Sequence, residues 1–168
     1  MIFNNKFKRN LKLEKNIAEI LKEHSLVISV AESCTGGLLS SRLTDISGSS
    51  EYIRVNFVTY SNESKKALLD VKDETLRIYG AVSEQCAREM AQGLLQLTKS
   101  DIVICTTGVA GPTGSERKPV GLMYAACGFD GKITVKEFNL NKNYSRKNMK
   151  FMFSEEALKF VLETIQDK

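Results

Sequence analysis

The sequence predicts a single three-layer α/β/α domain built on a mixed, mostly parallel sheet of about five strands. Segments with apolar residues at helical spacing alternate along the chain with short apolar runs typical of buried strands. Asp130-Gly131 separates the last two of these runs and is a strong hairpin signal, which makes the sheet mixed. The length of 168 residues fits one domain with an ordinary core.

The elements are justified in chain order by periodicity and by capping residues. Helices are predicted where apolar residues recur every three or four positions, over 11–24, 36–44, 63–69, 73–79, 83–98 and 148–166. A turn at 47–50 is expected to cap a short further helix. Strands are predicted where apolar and β-branched residues cluster between turn residues, over 26–30, 57–60, 101–107, 122–128 and 133–138.

Composition narrows the class of protein. The chain is 42% apolar and 26% charged, as expected of a soluble globular protein. No apolar run approaches the roughly 18 residues of a membrane helix, so no membrane partner is expected. Residues 1–10 are predicted to form a basic N-terminal arm and 11–168 the domain. The arm lacks the apolar core of a secretory signal, so we expect a cytoplasmic protein.

Metal and nucleic-acid chemistry are not expected. The four cysteines are widely spaced and His24 is the only histidine, so the ligand spacing of a zinc site is missing and free thiols are expected. The net charge of +4 suits an anionic small molecule or a weak contact with nucleic acid. No aromatic and basic residues are interleaved as in nucleic-acid-binding motifs, so a nucleic-acid partner is not predicted.

A Ser/Thr/Gly-rich turn, 31–37, joins the first predicted strand to the second helix. Such a turn presents free backbone N–H groups and the positive end of a helix dipole. Ser33 in this turn is either a nucleophile or a helix-capping residue. The N–H groups of residues 34–37 are candidates for stabilising an oxyanion.

Three loops follow three predicted strands and should meet at one edge of the sheet if those strands are parallel. They carry Ser33, then Tyr60 and Lys65, then the glycine-rich run 108–112. A buried lysine can lose its proton near neutral pH and act as the base for a serine, with a tyrosine orienting the proton. Each residue also has a structural interpretation: a capping serine, a surface lysine, a tyrosine at the core rim and a plain turn.

Five segments, taken together, resemble the CinA C-terminal domain family, whose stand-alone members are nicotinamide mononucleotide deamidases. The segments are Ala31-Glu32-Ser33-Cys34-Thr35-Gly36-Gly37, Gly48-Ser49-Ser50, Val58-Thr59-Tyr60-Ser61-Asn62-Glu63-Ser64-Lys65, Gly80-Ala81-Val82-Ser83-Glu84, and Thr107-Gly108-Val109-Ala110-Gly111-Pro112 continuing to Lys118-Pro119-Val120-Gly121. The resemblance spans about residues 11–164. About thirty residues precede Ser33, so the chain is similar to the stand-alone form and not to the two-domain form.

The resemblance implies an amidohydrolase that converts nicotinamide mononucleotide and water to nicotinate mononucleotide and ammonia, in pyridine nucleotide recycling. It implies Ser33 as nucleophile, assisted by Lys65 and Tyr60, with no metal or cofactor. Lys65, and not Lys66, has the family's spacing after the tyrosine. The family also suggests a homodimer, for which the apolar face of the first helix is a further argument.

The substrate is expected to be a nucleotide held mainly by the first and third loops. Arg146 is a candidate phosphate ligand, and Lys150 stands where similar family members carry a second arginine. The residues expected to bind the substrate are Cys34, Thr35, Gly36, Gly37, Thr107, Gly108, Ala110, Gly111 and Arg146. The alternative is a non-catalytic nucleotide-binding protein, or a CinA-like protein associated with competence or DNA damage.

Overall fold

The chain folds around a five-stranded mixed sheet, as predicted. The computed structural model describes residues 11–115 and 118–166. The strands are β1 (Ile28–Glu32), β2 (Ile53–Val58), β3 (Ile102–Gly108), β4 (Leu122–Phe129) and β5 (Lys132–Asn139). Their order in the sheet is β2-β1-β3-β4-β5. β1 pairs in parallel with both β2 and β3, whereas β4 runs antiparallel to β3 and β5, so four strands point one way and β4 the other.

Helices cover both faces of this sheet. They are α1 (Leu11–Glu23), α2 (Leu38–Thr44), α3 (Asn62–Leu69), α4 (Asp73–Ile78), α5 (Glu84–Thr98) and α6 (Arg146–Gln166), with a single 3₁₀ turn at Ser49–Glu51. One core cluster holds the apolar residues of α1, α2 and α6 against one face. A second cluster, built from α5 and the residues around α3 and α4, lies on the other. The prediction of an α/β/α architecture is therefore confirmed.

Two strands lie away from their predicted positions. β1 starts two residues late because Leu26 belongs to the turn that ends α1, where its N–H donates to the Leu21 carbonyl at 2.8 Å. It extends to Glu32, two residues beyond the predicted end at Val30. β2 starts at Ile53 and not at Phe57. Its early residues alternate with polar ones, and Arg54 is satisfied by the carbonyls that end α5.

Turn chemistry follows the sequence closely. Asp130 and Gly131 both have positive φ, 51° and 74°, as the tight hairpin between β4 and β5 requires. Ser83 caps α5 by accepting a hydrogen bond from the Cys86 N–H at 3.2 Å. Ser61 caps α3 by accepting one from the Ser64 N–H at 3.1 Å. These caps fix the residues at which α3 and α5 begin.

The apolar face of α1 is part of the chain's own core. Leu13, Ile17 and Leu21 are buried within the cluster shared with α6. This face is therefore covered and no longer argues for a homodimer. All four cysteines are buried free thiols. None of the described helices is long and apolar enough to cross a membrane. The basic arm predicted for residues 1–10 lies outside the described residues.

A buried ion cluster joins the three helices on the α1 face. The guanidinium of Arg42 donates to Glu14 Oε1 and to Glu155 Oε2, each at 2.7 Å, and to Ser154 Oγ at 3.0 Å. Arg42 and Glu14 are completely buried. Within the described ranges the second oxygen of Glu14 has no hydrogen-bond partner. The cluster ties α2, which follows the Ser33 turn, to α1 and α6.

Candidate active site

Three loops meet where the parallel strands end. Ser33 follows β1, residues 59–65 follow β2, and the loop after β3 begins at Val109. Because β1 lies between β2 and β3 and runs parallel to both, the three loops share one edge of the sheet. They enclose a cavity of about 340 Å³. Nine residues predicted for the site line it: Ser33, Cys34, Tyr60, Lys65, Thr107, Gly108, Ala110, Gly111 and Arg146.

A serine and a lysine make contact at the bottom of this cavity. Lys65 Nζ lies 3.1 Å from Ser33 Oγ, although 32 positions separate the two residues in sequence. Lys65 is only 1% exposed and Ser33 9%. The amine also donates to the Thr59 carbonyl at 2.7 Å, which fixes its direction. A serine hydroxyl and a lysine amine are thus within hydrogen-bond reach of each other, the arrangement that a nucleophile and its base require.

Burial favours the neutral form of this lysine. Desolvation lowers the pKa of the Lys65 amine below its usual value of 10.5. The nearby sulfurs of Cys86 and Cys34 would raise that pKa if they were thiolates. Burial, however, raises the pKa of Cys34 to about 12 and that of Cys86 to about 11, so both are neutral thiols at physiological pH. Desolvation therefore lowers the pKa of Lys65, and the neutral amine is suited to accept a proton.

Arg146 bridges the second and third loops across the cavity. Its Nη1 donates to the Gly111 carbonyl at 2.6 Å, and its Nη2 donates to the Tyr60 hydroxyl at 2.8 Å. Tyr60 is 61% exposed, and in the described part of the chain its hydroxyl makes no hydrogen bond to Ser33 or Lys65. Tyr60 therefore lines the cavity, and its hydroxyl accepts a hydrogen bond from Arg146. The geometry shows no path for a proton between Tyr60 and Ser33.

Thr35, Gly36 and Gly37 do not line this cavity. Thr35 is fully buried, with its hydroxyl 2.9 Å from that of Thr106. The N–H of Gly36 donates to the Ser33 carbonyl at 3.2 Å, and the N–H of Gly37 to Glu32 Oε2 at 3.0 Å. Two of the four amides expected to stabilise an oxyanion are thus already bonded within the chain.

The other two amides, those of Cys34 and Thr35, donate to no backbone carbonyl among the described residues, and of these two residues Cys34 lines the cavity. Gly36 and Gly37 line a separate cavity with Lys147 and Lys150. Both glycines have positive φ, 57° and 89°, which a side chain would oppose.

Several lining residues were missed in the sequence. They come from the start of α3, the connection before α5 and the third loop: Asn62, Ala81, Val82, Val109, Thr113, Gly114 and Ser115. Thr107 holds two of these regions together, since its hydroxyl donates to the Ala81 carbonyl at 2.7 Å. Asn62, Ala81, Val82 and Val109 lie in segments that carry the family resemblance, so position in those segments is the signal that could have found them.

Acidic and metal-ligating side chains are sparse around the site. No group of three His, Cys, Asp or Glu side chains within residues 11–115 and 118–166 is arranged to hold a metal ion. Glu32 is the carboxylate adjacent to Ser33, and it faces α2 rather than the cavity. The described site therefore offers serine, lysine and arginine chemistry.

Comparison with known proteins agrees with the fold and identifies the family. The family model for the CinA C-terminal domain matches residues 10–165. A CinA-like protein from Chloroherpeton thalassium is 48% identical over 159 residues, covering 93% of this chain and 38% of the relative. A CinA-like protein from Chlorobium phaeobacteroides is 45% identical over 160 residues, with the same coverage of 93% and 38%. The chain thus spans less than half the length of these two relatives.

Solved structures give the same assignment. The competence/damage inducible protein CihA from Agrobacterium tumefaciens superposes with a TM-score of 0.87 at 37% identity, covering 91% of this chain and 93% of that one. The competence damage-inducible protein A from Klebsiella pneumoniae gives a TM-score of 0.89 at 31% identity, covering 95% and 98%. The chain with this Ser33–Lys65 cavity belongs to the CinA C-terminal domain family.

Proposed function

We propose that this protein is an amidohydrolase that deamidates nicotinamide mononucleotide to nicotinate mononucleotide and ammonia, in pyridine nucleotide recycling. The observation that carries the proposal is the 3.1 Å contact between Lys65 Nζ and Ser33 Oγ in a buried pair. The choice of substrate rests on the resemblance to the stand-alone nicotinamide mononucleotide deamidases. The cavity of about 340 Å³ leaves room for a small carboxamide above the serine.

The first step is the attack of Ser33 on the carboxamide. Neutral Lys65 accepts the hydroxyl proton, and Ser33 Oγ forms a bond to the carbonyl carbon. The carbonyl oxygen becomes an oxyanion, for which the N–H group of Cys34, a residue that lines the cavity, is the candidate donor. The positive charge of the pyridinium ring withdraws electrons from the amide and makes this attack easier.

The second half of the reaction releases both products. The protonated Lys65 returns its proton to the amide nitrogen, the C–N bond breaks, and ammonia leaves an acyl ester on Ser33. Lys65 then takes a proton from water, the resulting hydroxide attacks the ester, and the proton passes to Ser33 Oγ as the C–O bond to the serine breaks. The carboxylic acid formed loses its proton to solvent, where ammonia can take it up as ammonium. Lys65 is thus base and acid in turn.

The remaining parts of a nucleotide match the rim of the cavity. The exposed ring of Tyr60 offers a face to a cationic pyridinium. Arg146 keeps further N–H donors beyond the two that bond Gly111 and Tyr60, and is the candidate for the phosphate. The Val109 amide cannot serve, because it donates to the Leu122 carbonyl at 2.9 Å. Among residues 109–111, the amides of Ala110 and Gly111 therefore remain as candidate donors.

The test is ammonia release from nicotinamide mononucleotide by wild type, Ser33→Ala and Lys65→Ala, with a chelator present and folding checked by circular dichroism. We expect turnover by wild type and loss in both variants. Lys66→Ala is the matched control, since Lys66 is the neighbouring lysine and its amine pairs with Asp73 on the surface.

Each other outcome removes a defined part of the proposal. A folded wild type without turnover excludes this substrate and leaves the non-catalytic nucleotide-binding protein, which calorimetric titration with nicotinamide mononucleotide would then reveal. Turnover that survives Ser33→Ala excludes Ser33 as nucleophile. Comparison with the unphosphorylated riboside measures the contribution of the phosphate.

A further inference from the structure

Glu32 is a buried carboxylate that the proposed mechanism does not use. It is the last residue of β1, immediately before Ser33, and it is completely buried. Its two oxygens accept hydrogen bonds from the N–H groups of Gly37 and Leu39 at 3.0 Å each and of Ser40 at 2.8 Å. The Ser40 hydroxyl donates a fourth hydrogen bond at 2.5 Å. The carboxylate is therefore fully engaged with the start of α2.

These hydrogen bonds link the two ends of the turn that contains Ser33. The N–H groups at the start of a helix have no partner within the helix, and they attract an anion. Here the anion comes from the strand that precedes the helix, so the turn between Glu32 and Gly37 is held at both of its ends. Ser33 lies in this turn, and its own N–H donates to the Thr106 carbonyl of β3 at 3.0 Å. The position of its Oγ is thus determined by the sheet and by α2 together.

The main chain of Glu32 also reaches the base. Its carbonyl accepts from the Thr59 N–H at 2.8 Å. The Thr59 carbonyl in turn accepts from Lys65 Nζ at 2.7 Å. One residue therefore contacts the nucleophile loop through its side chain and the base loop through its backbone.

We infer that Glu32 is the positioning residue of the site: its carboxylate holds the Ser33 turn against α2 so that Ser33 Oγ meets Lys65 Nζ. The inference rests on the proposed function, because it needs Ser33 to be a nucleophile. It also implies that the start of α2 is occupied by an internal anion. The oxyanion and the substrate phosphate must then be held elsewhere, the oxyanion by the Cys34 N–H and the phosphate by Arg146.

Glu32→Gln is the decisive variant, with Glu14→Gln as its matched control. Gln keeps the size of Glu32, but its NH₂ group faces N–H donors and cannot accept from them. Glu14 is an equally buried carboxylate, bonded to Arg42 and remote from the cavity. Both substitutions should lower the melting temperature, whereas only Glu32→Gln should affect Ser33.

The primary readout does not depend on the natural substrate. Ser33 acylation by p-nitrophenyl acetate is followed by mass spectrometry of the Ser33 peptide, per folded molecule, at a temperature where each variant is folded. We expect Glu32→Gln to acylate Ser33 about 100-fold more slowly, the loss associated with a misplacement of about 1 Å. With nicotinamide mononucleotide, kcat should fall by a similar factor while KM stays within about twofold. Glu14→Gln should match wild type in both assays.

Ser40→Ala is the second variant, and it removes one of the four hydrogen bonds without touching the carboxylate. It should slow acylation by a factor of about 2 to 10, and it decides the question if Glu32→Gln does not fold. Acylation at the wild-type rate in the folded variants would overturn the inference. If wild type is acylated at Ser33 but does not convert nicotinamide mononucleotide, the proposed substrate is refuted. The acylation rates of the variants then still decide whether Glu32 is a positioning residue. A wild type without acylation at Ser33 would refute both.

Discussion

Replacing Lys65 by methionine removes the amine but keeps an unbranched side chain of similar length. The residue is 1% exposed and donates to Ser33 Oγ and to the Thr59 carbonyl. We expect kcat for ammonia release to fall by a factor of about 10² to 10⁴, the usual contribution of a general base. In wild type the activity should rise with pH through the folded-state pKa of Lys65, which burial places below 10.5.

The same variant should change how stability depends on pH. Between the lowered pKa of Lys65 in the folded state and its ordinary value near 10.4 in the unfolded state, the unfolded chain binds about one proton more. The free energy of unfolding of wild type therefore rises by about 1.4 kcal/mol per pH unit across that window. Lys65→Met has no amine and lacks this increment. At pH values below the lowered pKa of Lys65, the difference in free energy of unfolding between wild type and Lys65→Met is constant.

The assay is urea denaturation of both proteins at several pH values from 7 to 10, beside ammonia release at the same values. Subtracting the two stability curves cancels every other titrating group and isolates Lys65. Lys66→Met is the control, because the adjacent amine is exposed and paired with Asp73. A folded Lys65→Met protein with activity within tenfold of wild type, or a stability difference that does not change with pH, would refute the reasoning.

Three further changes test other contacts. Arg42→Met leaves two carboxylates without their buried partner and should lower the free energy of unfolding by about 3 to 5 kcal/mol in urea titrations, whereas an unchanged midpoint would contradict the cluster. Tyr60→Phe should leave kcat near wild type and raise KM by less than about tenfold, because its hydroxyl contacts Arg146 and not the nucleophile; a loss of kcat above 100-fold would restore a role in proton transfer. Cys34 should resist iodoacetamide at pH 8 in mass spectrometry, since burial raises the pKa of its thiol to about 12, and rapid alkylation would contradict that burial.

The fold could be predicted because its signals are local. Helical spacing, capping serines and the Asp130-Gly131 turn each act over a few residues, and the structure contains every predicted element. The convergence of three loops followed from the rule for parallel strands. The strand bounds were wrong where a particular hydrogen bond decides them: the Leu26 N–H completes the turn after α1, and the Glu32 carboxylate, at the end of β1, accepts from the N–H groups at the start of α2.

The site was harder to predict where it depends on distant partners. Spacing in the second loop pointed to Lys65, but only the fold shows its amine at the Thr59 carbonyl. Arg146 is 86 positions from Tyr60 in sequence, and their contact requires α6 to begin beside the second loop. The partners of Gly36 and Gly37 are set by backbone geometry that residue types do not reveal.

The buried cluster around Arg42 is complete only when α6, the last helix, packs against α1 and α2. Arg42 is 113 positions from Glu155, so its guanidinium has only one of its two carboxylates until α6 has docked. A ribosome-bound chain still lacking α6 would lack Ser154 and Glu155 beside Arg42, together with the helix that shields the guanidinium from water. We therefore expect the Arg42 cluster to form only when synthesis is almost finished. Removal of α6 should destabilise α1 and α2 as well as the C-terminal part of the domain.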